Sequence, residues 1–453
     1  MPDTMNNSHT ENKMGVMPVG KLLASMSAPM VASMLFQALY NIVDSVFVAR
    51  LSQDALNAVS LAFPLQSLCI AFANGTGIGV NTLLSKALGS KDKETADEAA
   101  NKGIFLFLMC GVFFAVFGLL FGRAYFVSIT SNPVITDYGT DYIYVCLGCS
   151  IMLFTQICGE RLLQSTGRTN LAMIPQLSGA ITNMILDPIL IFGLFGFPRL
   201  EVKGAAVATV FGQTLATALG IWLNIRKNPE ITLSLKKIRF SKKTAQRIYS
   251  IGLPSIIMQG AGSVLNFLMN KILIGFTEAA TAVYGAYFKI QSFIFLPVIG
   301  INNALVPIIS YNYGAKRPSR VKGAVKYRII FAVSIMTFGC LLFELIPDKL
   351  LSLFSPSEEM LTIGIRAFRI IGLHFPVAGF CILAGSICQA LEKPLYSLIT
   401  NLIRQLVVLL PAAWLLSLTG ILDNVWYAFL IAETVSLALN FFFIRSTFRQ
   451  RLN

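Results

Sequence analysis

Gln37, Asn41 and Asp44 are spaced i, i+4 and i+7, so a helix presents all three on one face. Asn183 and Asp187 repeat the amide–acid pairing at i, i+4, and Pro188 follows the acid directly. Both acids fall inside apolar runs, where an ionisable side chain is costly and usually serves function. Removing a carboxylate from water favours its protonated form, and two neighbouring carboxylates titrate as one coupled unit. Such a pair could load and release a proton, or hold Na⁺ among oxygen ligands if both acids stay ionised. Counting from the ends of their apolar runs puts Tyr142 and Thr209 at the depth of Asp44 and Asp187. Pro29 and Pro188 each lack an amide hydrogen and are expected to bend the helices that carry the acids.

The elements that must hold these groups are membrane spans. The chain is 55% hydrophobic and 13% charged, with a mean hydropathy of +0.68, which excludes an ordinary soluble protein. Apolar runs long enough to cross about 30 Å of hydrocarbon recur along nearly the whole length. Twelve helical spans are expected, near 22–48, 55–85, 103–122, 135–158, 170–195, 204–225, 248–275, 280–312, 327–346, 360–388, 394–417 and 425–444. Long runs, as opposed to alternating ten-residue strands, exclude an outer-membrane barrel. With these spans, 26 Lys and Arg collect on one side and 6 on the other. The positive-inside rule then makes both termini cytoplasmic in a multi-pass cell-membrane protein. The net charge of +14 therefore reports topology, and no nucleic acid partner is expected. No cleavable signal opens the chain, so the first span is expected to remain in the mature protein.

A shift of 225 residues superimposes the sequence on itself. Pro29 meets Pro254, Asn41 meets Asn266, Gly75 meets Gly300, Gly89 meets Gly314 and Gln164 meets Gln389. Asp44 instead meets Met269 and Asp187 meets Ala412, so only the first copy is expected to keep ionisable residues inside its apolar segments, and the chemistry is expected there. Six spans per copy return the chain to its starting side. The all-α fold is thus two six-helix lobes related by a pseudo-twofold axis along the membrane normal. The expected division is a leader at 1–17, an N-lobe at 18–225, a basic linker at 226–247, a C-lobe at 248–448 and a tail at 449–453.

Several chemistries find no support. There is no phosphate-binding loop and no long soluble segment for a nucleotide domain, so an ion gradient would have to drive any pumping. Neither an HExxH nor an acid-rich motif supports an enzyme, and no cofactor is expected. Cys146 and Cys149 lack partners for a metal site, and the eight cysteines read as packing residues. His9 lies in the leader, while His374, before Phe375-Pro376, is a candidate proton carrier. Lys289 is expected deep in the C-lobe as a counter-charge or substrate contact, alongside Met258 and Gln259. Glu160, Arg161 and Arg168 read as gate or packing residues at the cytoplasmic ends.

The string from Pro29 through Gln37, Tyr40-Asn41 and Asp44 to Val48 resembles the first helix of the multidrug and toxic compound extrusion (MATE) transporters. Gln164-Ser-Thr-Gly167-Arg168-Thr169, followed by Asn183 and Leu186-Asp187-Pro188, resembles their fourth-to-fifth helix region. The likeness covers about residues 18–448 and is nearest the DinF-like and MepA-like branch. That resemblance implies Asp44 as the protonation or cation site, with partners at Asn183, Asp187, Tyr142 and Thr209. The NorM-like branch keeps acids in the second lobe, whereas the matching regions here read Met258-Gln259 and His374-Phe375-Pro376. This difference tilts the expected coupling ion toward H⁺.

The expected function is export of amphipathic, often cationic, organic compounds by exchange with H⁺ or Na⁺ through alternating access. The substrate cleft would be lined by the abundant Phe (34) and Met (15), which adapt to varied shapes. The expected functional unit is a monomer in the lipid bilayer. The principal alternative is a flippase for lipid-linked saccharides, which would favour a more basic cavity. A membrane-embedded transferase would place its acids at the interface, and a channel would pass ions without counter-transport.

Overall fold

The computed structural model describes residues 11–452, so His9 lies outside the described residues. Each expected apolar run is helical. Six cross the first half: α1 (Val19–Ala49), α2 (Gln53–Gly89), α3 (Lys93–Ile129), α4 (Pro133–Gly148 and Ser150–Ser165), α5 (Thr169–Phe192) and α6 (Glu201–Lys227). The second half repeats them as α7 (Lys242–Leu273), α8 (Glu278–Gly314), α9 (Pro318–Leu345), α10 (Glu358–Gly372 and Phe375–Ala390), α11 (Pro394–Ser417) and α12 (Leu422–Arg451). Several outrun their expected spans because polar turns continue the helix past the apolar run. α3, for example, begins ten residues ahead of its expected start at 103.

The duplication is written into the helix ends. Ser52 caps α2 by accepting from the Ala55 amide, and its counterpart Thr277 caps α8 by accepting from the Ala280 amide. A side-chain oxygen here satisfies a donor that the helix itself leaves free. α4 bends by 45° around Cys149 and α10 by 49° around Leu373-His374, at matching points of the two copies. α1 and α5 are continuous through Pro29 and Pro188, so the large bends lie elsewhere than the sequence placed them. The π-helical turn Ile403–Leu409 interrupts α11.

Lobes α1–α6 and α7–α12 meet at the end of the bundle that carries both termini. There the residues of α2 from Gly75 to Gly89 and of α8 from Val298 to Asn312 are largely buried. A Cβ on Gly89 would sit 1.9 Å from the Tyr311 carbonyl oxygen, and one on Gly314 would sit 2.1 Å from that of Lys86. These are pseudo-symmetric mates, and only glycine permits the backbones to touch. Lys86 also pairs with Glu392 at 2.7 Å across the seam. Toward the opposite end the lobes part, leaving Leu39, Ile42 and Phe63 exposed.

A short helix, Lys13–Val16, straps this closed end. Asn12 donates to the Thr166 carbonyl at 2.9 Å and to Glu230 at 2.8 Å on the first lobe's side. On the second lobe's side, Asn312, Arg317 and Arg320 donate to the carbonyls of Met14, Gly15 and Met17. Met14 is fully buried between them. The segment between α6 and α7 is likewise pinned: Asp97 and Asn101 of α3 accept from the Thr232 and Ser234 amides.

The lobes are filled unequally. The largest apolar core belongs to the second lobe and contains Met269, Tyr287, Phe343, Phe368, Phe375 and Trp426. Met269, the counterpart of Asp44, is fully buried there, and Ala412, the counterpart of Asp187, packs against the same core. At that depth the second lobe is solid and the first is hollow. Phe113, Leu120, Phe338 and Phe441 face outward and form part of the apolar belt that a bilayer covers.

Candidate functional site in the interlobe cavity

A cavity of about 970 Å³ lies between the lobes, reaching from Ser45 and Leu56 near the parted end to Asn303 and Gln389 near the closed one. Helix α1 presents Gln37, Asn41 and Asp44 to it on one face, as the spacing requires. Gln37 accepts from Gln176 of α5 at 3.2 Å. One Asp44 carboxylate oxygen is buried with no hydrogen-bond partner among the described residues.

Asp187 is fully buried on α5, and Asn183, one turn earlier, stands beside it. With its amide nitrogen turned to the carboxylate, Asn183 donates to Asp187 Oδ2 at 3.0 Å and accepts from the Thr209 hydroxyl at 3.1 Å. Tyr142 is 3% exposed and lines the same pocket, its hydroxyl accepting from Gln66 at 3.4 Å. Six of the seven polar residues read from the first half therefore line one cavity, and Asp187 joins them through Asn183. One acid is tied down by an amide; the other is open to the cavity.

The floor is built differently. Arg161 donates to Asn74 at 3.1 Å and to Gln164 at 3.0 Å within its own lobe, and reaches Asn303 of α8 at 3.4 Å. Buried Glu160 accepts from Gln156 at 3.0 Å. This network joins the lobes where the cavity ends.

The MatE family model matches residues 29–189 and again residues 254–415. The chain belongs to the MatE family. The two matches begin at Pro29 and Pro254, the first residues that the internal repeat superimposes. The chain is 28% identical over 400 residues to the FAD transporter of Shewanella oneidensis, covering 87% of this chain and 88% of that protein. It is 28% identical over 435 residues to the multidrug export protein MepA of Staphylococcus haemolyticus, covering 95% of this chain and 94% of that one. Among solved structures, a multidrug resistance MATE family transporter in an outward-facing conformation superposes with a TM-score of 0.91 at 25% identity, covering 98% of this chain and 99% of that one. As a MatE protein the chain is a multi-span membrane transporter and not an enzyme.

Four second-lobe residues read from the sequence separate into two groups in this MatE chain. Met258 and Gln259 line the cavity, and Ser397 donates to the Met258 sulfur at 3.6 Å. Lys289 does not reach it: the side chain is exposed on the outer face of α8, its Nζ 5.7 Å from the centre of the Phe354 ring. Its depth along the helix was legible, but an all-apolar helix does not reveal which face is inward, and a lysine can lie along an outer face. His374 is buried in the second lobe's core at the α10 bend, bonded to the Ile371 carbonyl and packed on Phe375 and Phe429. It too lies off the cavity wall.

The wall itself corrects two further expectations. Fifteen Asn and Gln side chains line it, against two Phe and two Met; many of the other Phe side chains are spent on lobe cores and the lipid-facing belt. Nor are ionisable residues confined to the first copy. Arg404 of α11 donates to Glu433 of α12 at 2.7 Å, and Glu433 is 4% exposed. Arg328, at the start of the expected span 327–346, is fully buried in α9 and donates to Asn302. Opposite charges in consecutive apolar runs were the available signal for Arg404 and Glu433.

Among the described residues no group of three or more His, Cys, Asp or Glu is placed to hold a metal ion. The eight cysteines are all free thiols.

Proposed function

We propose that this chain is a secondary antiporter that exports small amphipathic organic molecules, cations among them, against an inward flow of H⁺. The observation that carries this reading is the Asp44 carboxylate, one oxygen unpartnered, facing a cavity sealed at one end and parted at the other. A proton arriving from the parted end neutralises Asp44, and the group is then cheaper to enclose when the first lobe contracts around it. Asp187 shares the load through Asn183 and Thr209, which tie it to the cavity wall. Tyr142, Asn41 and Gln37 complete the polar cluster. Pro29 and Pro188, which remove one backbone hydrogen bond each, are the sites at which α1 and α5 bend in the cycle. Na⁺ coordinated by the same oxygens is the second reading of the coupling ion.

The rigid units of the cycle are the lobes at 18–225 and 248–448, joined by the linker at 226–247. Both termini are cytoplasmic, by the excess of Lys and Arg at their end of the bundle, so the parted end faces outward. The unit that works is the monomer, since each chain encloses its own cavity. MepA is named for multidrug export and supports drug-like substrates; the Shewanella relative is named for FAD. The wall holds Asp44 and Glu160 against Arg161 and Arg404, a balance that gives a strongly basic, lipid-pyrophosphate-binding flippase no advantage.

The test is ethidium efflux from proteoliposomes under an imposed pH gradient without Na⁺. The expected result is gradient-dependent efflux by the wild type and none by Asp44→Asn. Efflux that survives in Asp44→Asn, or that requires Na⁺, would overturn proton coupling through this residue.

A further inference from the structure

The second lobe's wall carries its own charged device, opposite the acids. Ser397, Thr400, Asn401 and Arg404 are spaced i, i+3, i+4 and i+7 along α11, and all four line the cavity. Arg404 uses Nη1 to bind Glu433, whose side chain is 5% exposed against 21% for the arginine. The acid therefore sits behind, and the guanidinium faces the opening. Its Nε–Nη2 edge forms no hydrogen bond among the described residues. Two parallel N–H groups on one guanidinium edge match two oxygens of a carboxylate or phosphate.

Arg161 makes an instructive contrast. Its two terminal nitrogens are occupied by Asn74, Gln164 and Asn303, so it braces the floor and has little left to offer a ligand. Beside Arg404, the Asn401 side-chain oxygen is buried without a partner, a free acceptor next to a free pair of donors. The π-helical turn begins at Ile403, immediately before the arginine. Such turns widen the helix locally and are frequent at functional positions.

We propose that Arg404 anchors an anion-binding subsite on the second lobe's wall. The molecules this chain transports then include organic anions or zwitterions that pair a carboxylate or phosphate with a hydrogen-bonding body. Arg404 takes the anionic group at its free edge, Asn401 accepts from a neighbouring donor, and the amide-rich remainder of the wall serves the body of the ligand. The inference rests on the transport reading for its consequence, but the binding step stands apart from proton coupling.

The experiment compares flavin mononucleotide with riboflavin, which share a ring and differ by a phosphate, by flavin fluorescence on purified protein in nanodiscs. The expected result is about tenfold tighter binding of the phosphorylated flavin by the wild type. Arg404→Gln alone would strand the Glu433 carboxylate, so the informative variant is the double Arg404→Gln/Glu433→Gln, with folding checked by thermal unfolding. In it the preference should vanish while riboflavin affinity is kept. Displacement of the bound nucleotide by inorganic phosphate assigns a phosphoryl ligand, and displacement by acetate a carboxylate. Equal binding of the two flavins, binding of neither, or a preference that persists in the double variant overturns the subsite. Ethidium efflux by the same purified proteins in proteoliposomes under a pH gradient keeps the two proposals apart: its absence beside an intact flavin preference sinks proton-coupled export and leaves Arg404 in place.

Discussion

At the scale of single residues, the two acids of the first lobe are not equivalent. Asp187 is enclosed and bonded to Asn183, whereas Asp44 lines the cavity and keeps a buried oxygen without a partner. Asn183→Ala should therefore cost about 1–3 kcal/mol by leaving the Asp187 carboxylate unsatisfied, measured as a lowered unfolding midpoint in detergent. Asp44→Asn should leave that midpoint nearly unchanged while abolishing proton-driven efflux. In the other lobe, Glu433→Gln removes the counter-charge of a largely buried arginine and should cost about 3 kcal/mol; an unaltered midpoint would mean that Arg404 finds its compensation elsewhere. The first cluster was legible because helical spacing fixes a face and distance from the end of an apolar run fixes a depth. The Arg404–Glu433 pair spans two helices and 29 residues. Knowing that the two charges face each other required the packing of α11 on α12, which no single-helix periodicity contains.

At the scale of elements, the closed end depends on backbone contacts as much as on side chains. Gly89 and Gly314 each occupy a place where a Cβ would run into a carbonyl of the opposite lobe. Gly89→Leu should push α2 away from α8 and lengthen the distance between spin labels on Ser90 and Lys322 in double electron–electron resonance. An unchanged distance distribution would show that the seam is held by other contacts, such as Lys86–Glu392. The glycines were visible in the sequence as a repeated pair, but their role was not, because the partner backbone is supplied by the other copy. Bends show the same limit. Proline marked α1 and α5, yet the large bends fall in α4 and α10; Pro376 directly follows the α10 bend, whereas no proline stands at its counterpart around Cys149.

At the scale of the whole molecule, twelve helices in two lobes followed from apolar length and the internal repeat, since a bilayer leaves a buried backbone few other solutions. What the repeat concealed was the divergence in filling: one lobe keeps a polar hollow, and the other closes the same volume with Met269 and its aromatic neighbours. The basic linker offers a direct check on orientation. A cysteine placed at Lys236, in a background lacking native cysteines, should resist a membrane-impermeant maleimide in intact cells and react in inverted vesicles; the reverse pattern would turn the parted end toward the cytoplasm. The strap at Lys13–Val16 has a further consequence, for the order of assembly. The arginine nitrogens that hold the Met14 and Gly15 carbonyls lie 306 and 302 residues further along the chain. At synthesis rates of about 5–20 residues per second, the leader leaves the ribosome roughly 15–60 s before its clasp exists. A strap made early is thus among the last pieces to find its place, and a nascent chain cannot fasten it until most of the second copy has been made.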